Sequence, residues 1–300
     1  MREKRDALRT TARAWNENMD LSVTTDYAKD TGDPSPYLRR IADAGFTHVH
    51  WCHEWNTDFL YSLPEIEQVR GWLAGCGLRV LDLHGSVGPQ RNWAAACEDE
   101  RLAGVELARN RIEMTARLGA DVTVMHIPEQ PGCEPLRRSL AELEHLARAL
   151  GVRIAIENGA FDAIGQVLAE HGPDYLGLCY DAGHGNLTAS GLDCLDRIKD
   201  RLIAVHLHDN DGSADQHNLP FSGTVDWARL ARIMAASAYT KCVSLEVSMR
   251  SSGIADEPAF LARAFEAGTR ISLMVDEFIT CPECQTSYRS AGLPRLSAPG

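Results

Sequence analysis

Short apolar runs rich in β-branched residues alternate along this chain with longer stretches in which apolar side chains recur three and four positions apart. The runs MDLSV, THVHW, RVLDLH, DVTVMH, RIAIE, LGLCYD, LIAVHLH and CVSLEV predict eight strands. Between them, residues 65–75, 98–118, 136–150 and 227–236 carry the spacing of amphipathic helices. Eight strands alternating with helices predict an α/β fold, a single-domain (β/α)8 barrel, and strands this apolar suit a parallel sheet covered on both faces. The competing fold is a doubly wound open sheet, but no glycine-rich dinucleotide loop follows the first strand to favour it. The expected organisation is an N-terminal extension over 1–18, the barrel over 19–278 and a C-terminal tail over 279–300, with no linker or repeat inside the barrel. The tail ends in SAGLPRLSAPG, a composition that predicts poor order.

Composition narrows the partners. A chain of 300 residues with 44% hydrophobic content can bury a large core. It carries 42 Asp and Glu against 30 Lys and Arg, a formal charge of −12, which disfavours nucleic acid and anionic membrane as partners because both need a positive field. A small substrate, or an acidic site neutralised by metal, stays open. The N-terminal stretch MREKRDALRTTARAW has no apolar core of a secretory signal, and no apolar run reaches the roughly 18 residues that span a bilayer. Nine cysteines, mostly in apolar segments, predict reduced core residues in a cytoplasmic protein. Only CPEC, Cys281 to Cys284, has metal-ligand spacing, and no second pair stands behind it; a turn near a tail is the expected reading.

Chemistry in such a barrel sits where strands end. The third predicted strand ends at His84, the fourth at His126, the fifth at Glu157, the sixth at Asp181 with His184 just beyond, the seventh at His208 and the eighth at Glu246. Six of eight strands thus bring a metal-ligand residue type to one rim. Each alone would pass as a hydrogen-bonded surface or core group; together they predict a shared site. The stretch LHDNDGSADQHNLP adds Asp215 and His217, two apart in an extended loop and able to face the same way. Carboxylates crowd together at a cost that bound divalent ions relieve. His206 lies two residues before His208 on the same strand face, and is expected one layer down as a supporting or core residue.

These residues resemble a known superfamily. LHG at His84, MHIP at His126, IENG at Glu157, CYDAGH at Asp181 and His184, HDND at His208, DQH at Asp215 and His217, and SLEV at Glu246 look like the xylose isomerase-like TIM barrels, over about residues 19–247. The group holds sugar phosphate isomerases and epimerases, ketose 3-epimerases, inosose-processing enzymes and endonuclease IV. Its ketose epimerases imply one divalent ion, manganese, cobalt, magnesium or zinc, on Glu157, Asp181, His208 and Glu246. Its endonuclease IV branch implies up to three ions, with His84, His126, His184, Asp215 and His217 as further ligands. In the first case the resemblance implies a metal-stabilised enediolate, with Glu157 and Glu246 as general base and acid on opposite faces of a small carbohydrate, and His184 on a substrate hydroxyl. In the second it implies phosphoester hydrolysis, and the acidic charge then favours a small substrate over duplex DNA.

Other rim residues rank lower. Trp51, Trp55 and Phe59 either wall the sugar or pack the mouth of the barrel. His53 and Glu54 reach substrate or stay solvated, and Arg250 binds a substrate phosphate or carboxylate or is a surface arginine. PFSG stands where relatives often carry PGEG or IGEG, which bears on loop shape. A barrel that only binds metal or sugar is disfavoured, because binding alone needs no paired Glu157 and Glu246. Helical barrel exteriors also pair, so a homo-oligomer is compatible with this sequence.

Overall fold

The computed structural model describes residues 19–55, 60–85, 92–128 and 133–280. The extension over 1–18, Phe59 and the CPEC motif lie outside the described residues. Eight parallel strands form one sheet: β1 Leu21–Thr24, β2 His48–Trp51, β3 Arg79–His84, β4 Val122–Met125, β5 Arg153–Glu157, β6 Leu176–Asp181, β7 Leu202–His206 and β8 Val243–Leu245. The sheet runs β7-β6-β5-β4-β3-β2-β1-β8. It closes where Leu207 N donates to Ser244 O at 3.0 Å and Glu246 N donates to Leu207 O at 3.2 Å. The (β/α)8 barrel expected from the alternation is the fold observed.

Helices between the strands cover its outside: α1 Ser35–Asp43, α2 Leu63–Cys76, α3 Glu98–Arg117, α4 Glu134–Leu150, α5 Phe161–Glu170, α6 Ala182–Asn186, α7 Gly191–Ile198, α8 Trp227–Ala235, α9 Met249–Ser252 and α10 Glu257–Thr280. Local sequence sets their ends. Ser62 and Glu65 form a reciprocal capping box at the start of α2, and Gly77 ends it in the left-handed region at φ 70°. The longer helices turn an apolar stripe inward, as α4 does with Leu136, Leu140, Leu143 and Ala147. α10 continues two residues beyond the expected boundary at 278, because Ile279 and Thr280 extend its helical turns.

Strand alternation divides the buried side chains in two. One set meets the helices in the large apolar cluster that includes Val49, Leu83, Ile154, Ile156, Leu178 and Val205. The other fills the barrel and is of mixed character. On one side stand Val122, Val124, Ala155, Cys179 and Ala204; on the other Ser22, Thr24, His50, Asp82 and Ser244 are buried without exposure above 2%. The seven described cysteines are free thiols, but only Cys179 and Cys194 are buried and Cys97 is exposed, so the expectation of core cysteines holds for two of them. Among the described residues no helix is long and apolar enough to cross a membrane.

Candidate functional site

The C-terminal ends of β3 to β8 converge on a cluster of carboxylates and imidazoles. Glu157, the last residue of β5, stands at its centre and is nearly buried. Its Oε2 lies 3.2 Å from His84 Nε2 and 3.3 Å from His126 Nε2. Its other oxygen, Oε1, lies 3.2 Å from His206 Nδ1 and 3.6 Å from His184 Nδ1. Asp181 ends β6 and caps α6, with Oδ1 accepting from His184 N at 2.7 Å and Oδ2 3.1 Å from His208 Nε2. Asn158 locks these two strand ends together by accepting from Asp181 N at 2.5 Å and donating to Asp181 O at 3.1 Å.

The loop after β7 brings the second half of the cluster. Asp215 Oδ2 lies 3.3 Å from His184 Nε2 and 3.1 Å from His217 Nε2, while Oδ1 is 3.5 Å from His208 Nε2. His217 is held at φ 49°, a left-handed conformation that costs a non-glycine residue about 1–3 kcal/mol and persists only when its surroundings fix it. Here its ring stacks on His208 at 4.0 Å, and its Nδ1 lies 2.9 Å from the Glu246 carbonyl oxygen. Gly183 makes room for His208: a β-carbon there would come within 1.9 Å of the His208 ring.

All nine residues expected from the strand ends and the loop are gathered on this rim, and His206 joins them. Ligand atoms of Glu157, Asp181, His206 and Glu246 lie within 4.8 Å of one another. His206, expected one layer down, is fully buried in this layer with Nδ1 2.9 Å from Glu246 Oε2. His208 instead groups with His217 and Glu246. The reason is register: Asp181 pairs with His206 across β6 and β7, so His206 shares the layer of Asp181, while His208 lies past the end of the strand.

Electrostatics follow from this crowding. Burial alone would raise the pKa of Glu157 and Glu246, but His206 and the other histidines beside them hold both well below the usual carboxylate range. Burial opposes charge on His184 and His217, yet the hydrogen bond with Asp215 and the surrounding carboxylates outweigh it and push each up to about 10. Asp215 is correspondingly lowered: burial opposes this, but its bonds to His184 and His217 prevail. His126, with less support from carboxylates, is lowered by burial.

The donor set suits divalent cations. His84, His184 and His217 each place Nδ1 at 2.8, 3.1 and 2.9 Å from a backbone carbonyl, of Gly85, Asn158 and Glu246, and turn Nε2 toward a carboxylate. A metal-binding imidazole is oriented in this way, with its second nitrogen tied to a carbonyl or carboxylate.

The lower-ranked rim residues take other places. His53 is buried with Nε2 2.7 Å from Gly32 O, and Trp51 belongs to the apolar core. Trp55 packs edge-on against Trp72 at 4.7 Å, and the backbone of Glu54 bonds with those of Asp30 and Gly32. Arg250 is exposed on α9 and pairs with Asp30 at 3.2 Å. Sequence reasoning missed the bonds made by Asn158. It also passed over His50 and Asp82, two buried polar residues inside strands predicted to be apolar, and that mismatch was the available signal.

A profile of the xylose isomerase-like TIM barrel family matches residues 38–264. The uncharacterized protein y4fM of Sinorhizobium fredii is 31% identical over 275 residues, which cover 79% of this chain and 88% of that protein. Among solved structures, a D-tagatose 3-epimerase-like protein superposes with a TM-score of 0.70 at 18% identity, over 87% of this chain and 100% of its own. L-ribulose 3-epimerase gives 0.69 at 15% identity, over 93% and 100%. IOLI protein, in a structure with a bound zinc atom, gives 0.64 at 14% identity, over 88% and 100%. At these identities the structural likenesses bear on the fold.

Proposed function

Since the chain belongs to the xylose isomerase-like TIM barrel family, we propose that it is a divalent-metal-dependent isomerase or epimerase of a sugar or sugar phosphate. The observation that carries this reading is the convergence of Glu157, Asp181, His206 and Glu246, whose ligand atoms lie within 4.8 Å of one another at the ends of four successive strands. An ion on Glu157, Asp181, Glu246 and His208, whose Nε2 lies 3.1 Å from Asp181 Oδ2, would be manganese, cobalt, magnesium or zinc and would supply Lewis acidity to a substrate carbonyl and its neighbouring hydroxyl. Glu157 and Glu246, held ionised by the histidines beside them, have the form of a general base. One would take the proton from the carbon beside the carbonyl, giving an enediolate, and the other, after gaining a proton from water, would deliver it to the opposite face. His184, half-buried at the rim, would turn Nε2 from Asp215 to a substrate hydroxyl. The epimerases among the structural neighbours support a small carbohydrate substrate. The free thiols suit a reducing, cytoplasmic setting.

A second reading has its own observation. His84 and His126 both face Glu157 Oε2, and His184 and His217 both face Asp215 Oδ2, which makes two further ligand groups beside the central four. With up to three ions the same rim would suit hydrolysis of a small phosphoester. Elemental analysis of gently purified, tag-free protein separates the two. About one manganese, cobalt or magnesium per chain is expected for the isomerase or epimerase, and screening then starts with ketoses and their phosphates. Two or three zinc, iron or manganese ions per chain would overturn the single-ion site and send phosphoesters to the front.

A further inference from the structure

At the N-terminal ends of the strands, opposite the rim of histidines and carboxylates, lies a cavity of about 890 Å³. His48 and Arg79, which begin β2 and β3, and Cys242, just before β8, stand on its wall. Leu73, Leu78, Val80, Leu81 and Leu118 give it an apolar floor. Its basic groups already have carboxylate partners: Arg79 pairs with Asp20 at 3.4 Å, Lys241 with Asp121 and Arg70 with Glu67. An anionic ligand is therefore disfavoured. α10 closes one side with Ser272 and Asp276, one turn apart. No residue of α10 past Ile271 is buried, although Leu273, Met274, Val275 and Phe278 are apolar and Leu273 is 39% exposed. Asp276 and Glu277 lie near the C-terminus of this helix, where negative charge is unfavourable, and its last turn carries no basic residue. Met19 and Asp20 also line the cavity, so the chain enters the described structure at this point.

We propose that residues 1–18 form an amphipathic helix that covers this cavity and closes the N-terminal end of the barrel of the same chain. The inference is independent of the metal reading. Leu8, Ala12 and Trp15 recur four and three apart, the spacing of one helix face, and no Gly or Pro interrupts the segment. Met19, four positions further on, is packed against the apolar core, which ties the end of this stripe to the edge of the cavity. Leu8 to Trp15 spans about 10 Å of helix, the width of a cavity of that volume. Trp15 is the large anchor, with about 150–250 Å² of surface to bury. Arg2, Arg5, Arg9 and Arg13 recur three, four and four apart on a neighbouring face. The segment holds five basic residues against three acidic ones in a chain of net charge −12, which complements the acidic end of α10. The competing cover is the tail over 281–300, which also leaves from α10. It carries Pro282, Gly292, Pro294 and Pro299, which break helices, and shows no such stripe.

The test is hydrogen exchange read by mass spectrometry on the full-length protein, with Trp15→Ala and Leu8→Ala as variants. In the wild type, amides of residues 7–18 should exchange about 10-fold or more slowly than in a free peptide of the same sequence, and those of 281–300 should not. Trp15→Ala is expected to remove that protection and Leu8→Ala to reduce it. Alkylation of the half-buried Cys242 should quicken about as much in Trp15→Ala, while that of exposed Cys97 stays as it is. Metal uptake at the opposite rim should be the same in all three proteins, so failure of the metal reading would show separately. Residues 7–18 that exchange like a free peptide would overturn the proposal, as would protection that survives both substitutions. Protection that fades on dilution would place the segment on a second copy, and protection of 281–300 instead would make the tail the cover; either result overturns it.

Discussion

Glu157 is the residue on which the site turns, because its two oxygens face different partners: His84 and His126 on one side, His206 and His184 on the other. Replacing Glu157 or Glu246 by Gln keeps the shape and removes the proton acceptor. Turnover is expected to fall about 10²- to 10⁴-fold in each, the usual contribution of a general acid or base; unchanged rates in a ketose isomerisation or epimerisation assay would refute the assigned roles. The histidines allow a pH prediction for the metal-free protein. For His184 and His217 the pKa rises on folding from 6.5 to about 10. A raised pKa stabilises the fold fully below 6.5 and loses that contribution as pH rises through about 10. Asp215, lowered, contributes above its unfolded value of 3.8 and loses this in acid. Metal-free protein should therefore melt at lower temperature as pH climbs from neutral toward 10, more steeply than a His184→Asn/His217→Asn variant. Ions that recruit these two histidines must also displace their protons. Calorimetry in two buffers of different ionisation enthalpy should then show more proton release than a site using only the central four, whose single histidine is also raised by its carboxylates.

At the level of elements, the loop after β7 decides what the site contains. Asp209 is fully buried at its root and accepts from Asn210 N at 3.0 Å, Val225 N at 3.1 Å and Trp227 Nε1 at 2.9 Å. It also pairs by its backbone with Asn218, which turns the loop back so that Asp215 and His217 reach the rim. Asp209→Ala leaves three donors without their acceptor. At about 1–3 kcal/mol per orphaned buried group, urea unfolding should show a loss of about 3 kcal/mol or more. Hydrogen exchange should quicken over residues 210–224 while β5 and β6 stay protected; equal loosening of both would show that Asp209 is not a local anchor. The same region shows where sequence reading stopped. The β-rich run LIAVHLH predicts a strand to His208, but pairing with β6 ends at His206. A period of two places both histidines on one face and is silent on which layer each occupies.

For the whole molecule, the barrel is a single sheet closed between β7 and β8, and its rim groups come from most of its length, from His84 to Glu246. Metal bound there should stabilise all of it as one unit. At a free ion concentration about 100-fold above the dissociation constant, linkage adds about 2.7 kcal/mol. At about 2–4 °C per kcal/mol for a domain of this size, calorimetry should show one transition that rises by about 5–10 °C on reloading. Two transitions, or no shift, would contradict a site built across the whole barrel. The charge of −12 acts at this scale too, attracting cations toward the protein before any ligand is engaged.

Much of the architecture was written locally. Eight apolar runs, helical periodicity between them, and a ligand-type residue at six strand ends follow from nearest-neighbour preferences and from the rule that parallel strands deliver their last side chains to one rim. Those features, with the loop after β7, place the barrel and the nine residues around its rim without reference to any distant contact. Which layer His206 and His208 each occupy was decided by the pairing of Asp181 with His206, a register between strands that only the closed sheet enforces. The same closure set His50 and Asp82 side by side in a core that their strands, read singly, would have filled with apolar residues. Local sequence sets the period and the ends of an element, because those depend on backbone preference and side-chain alternation. The layer that each side chain occupies depends on strands tens of residues away, and the tertiary structure alone decides it.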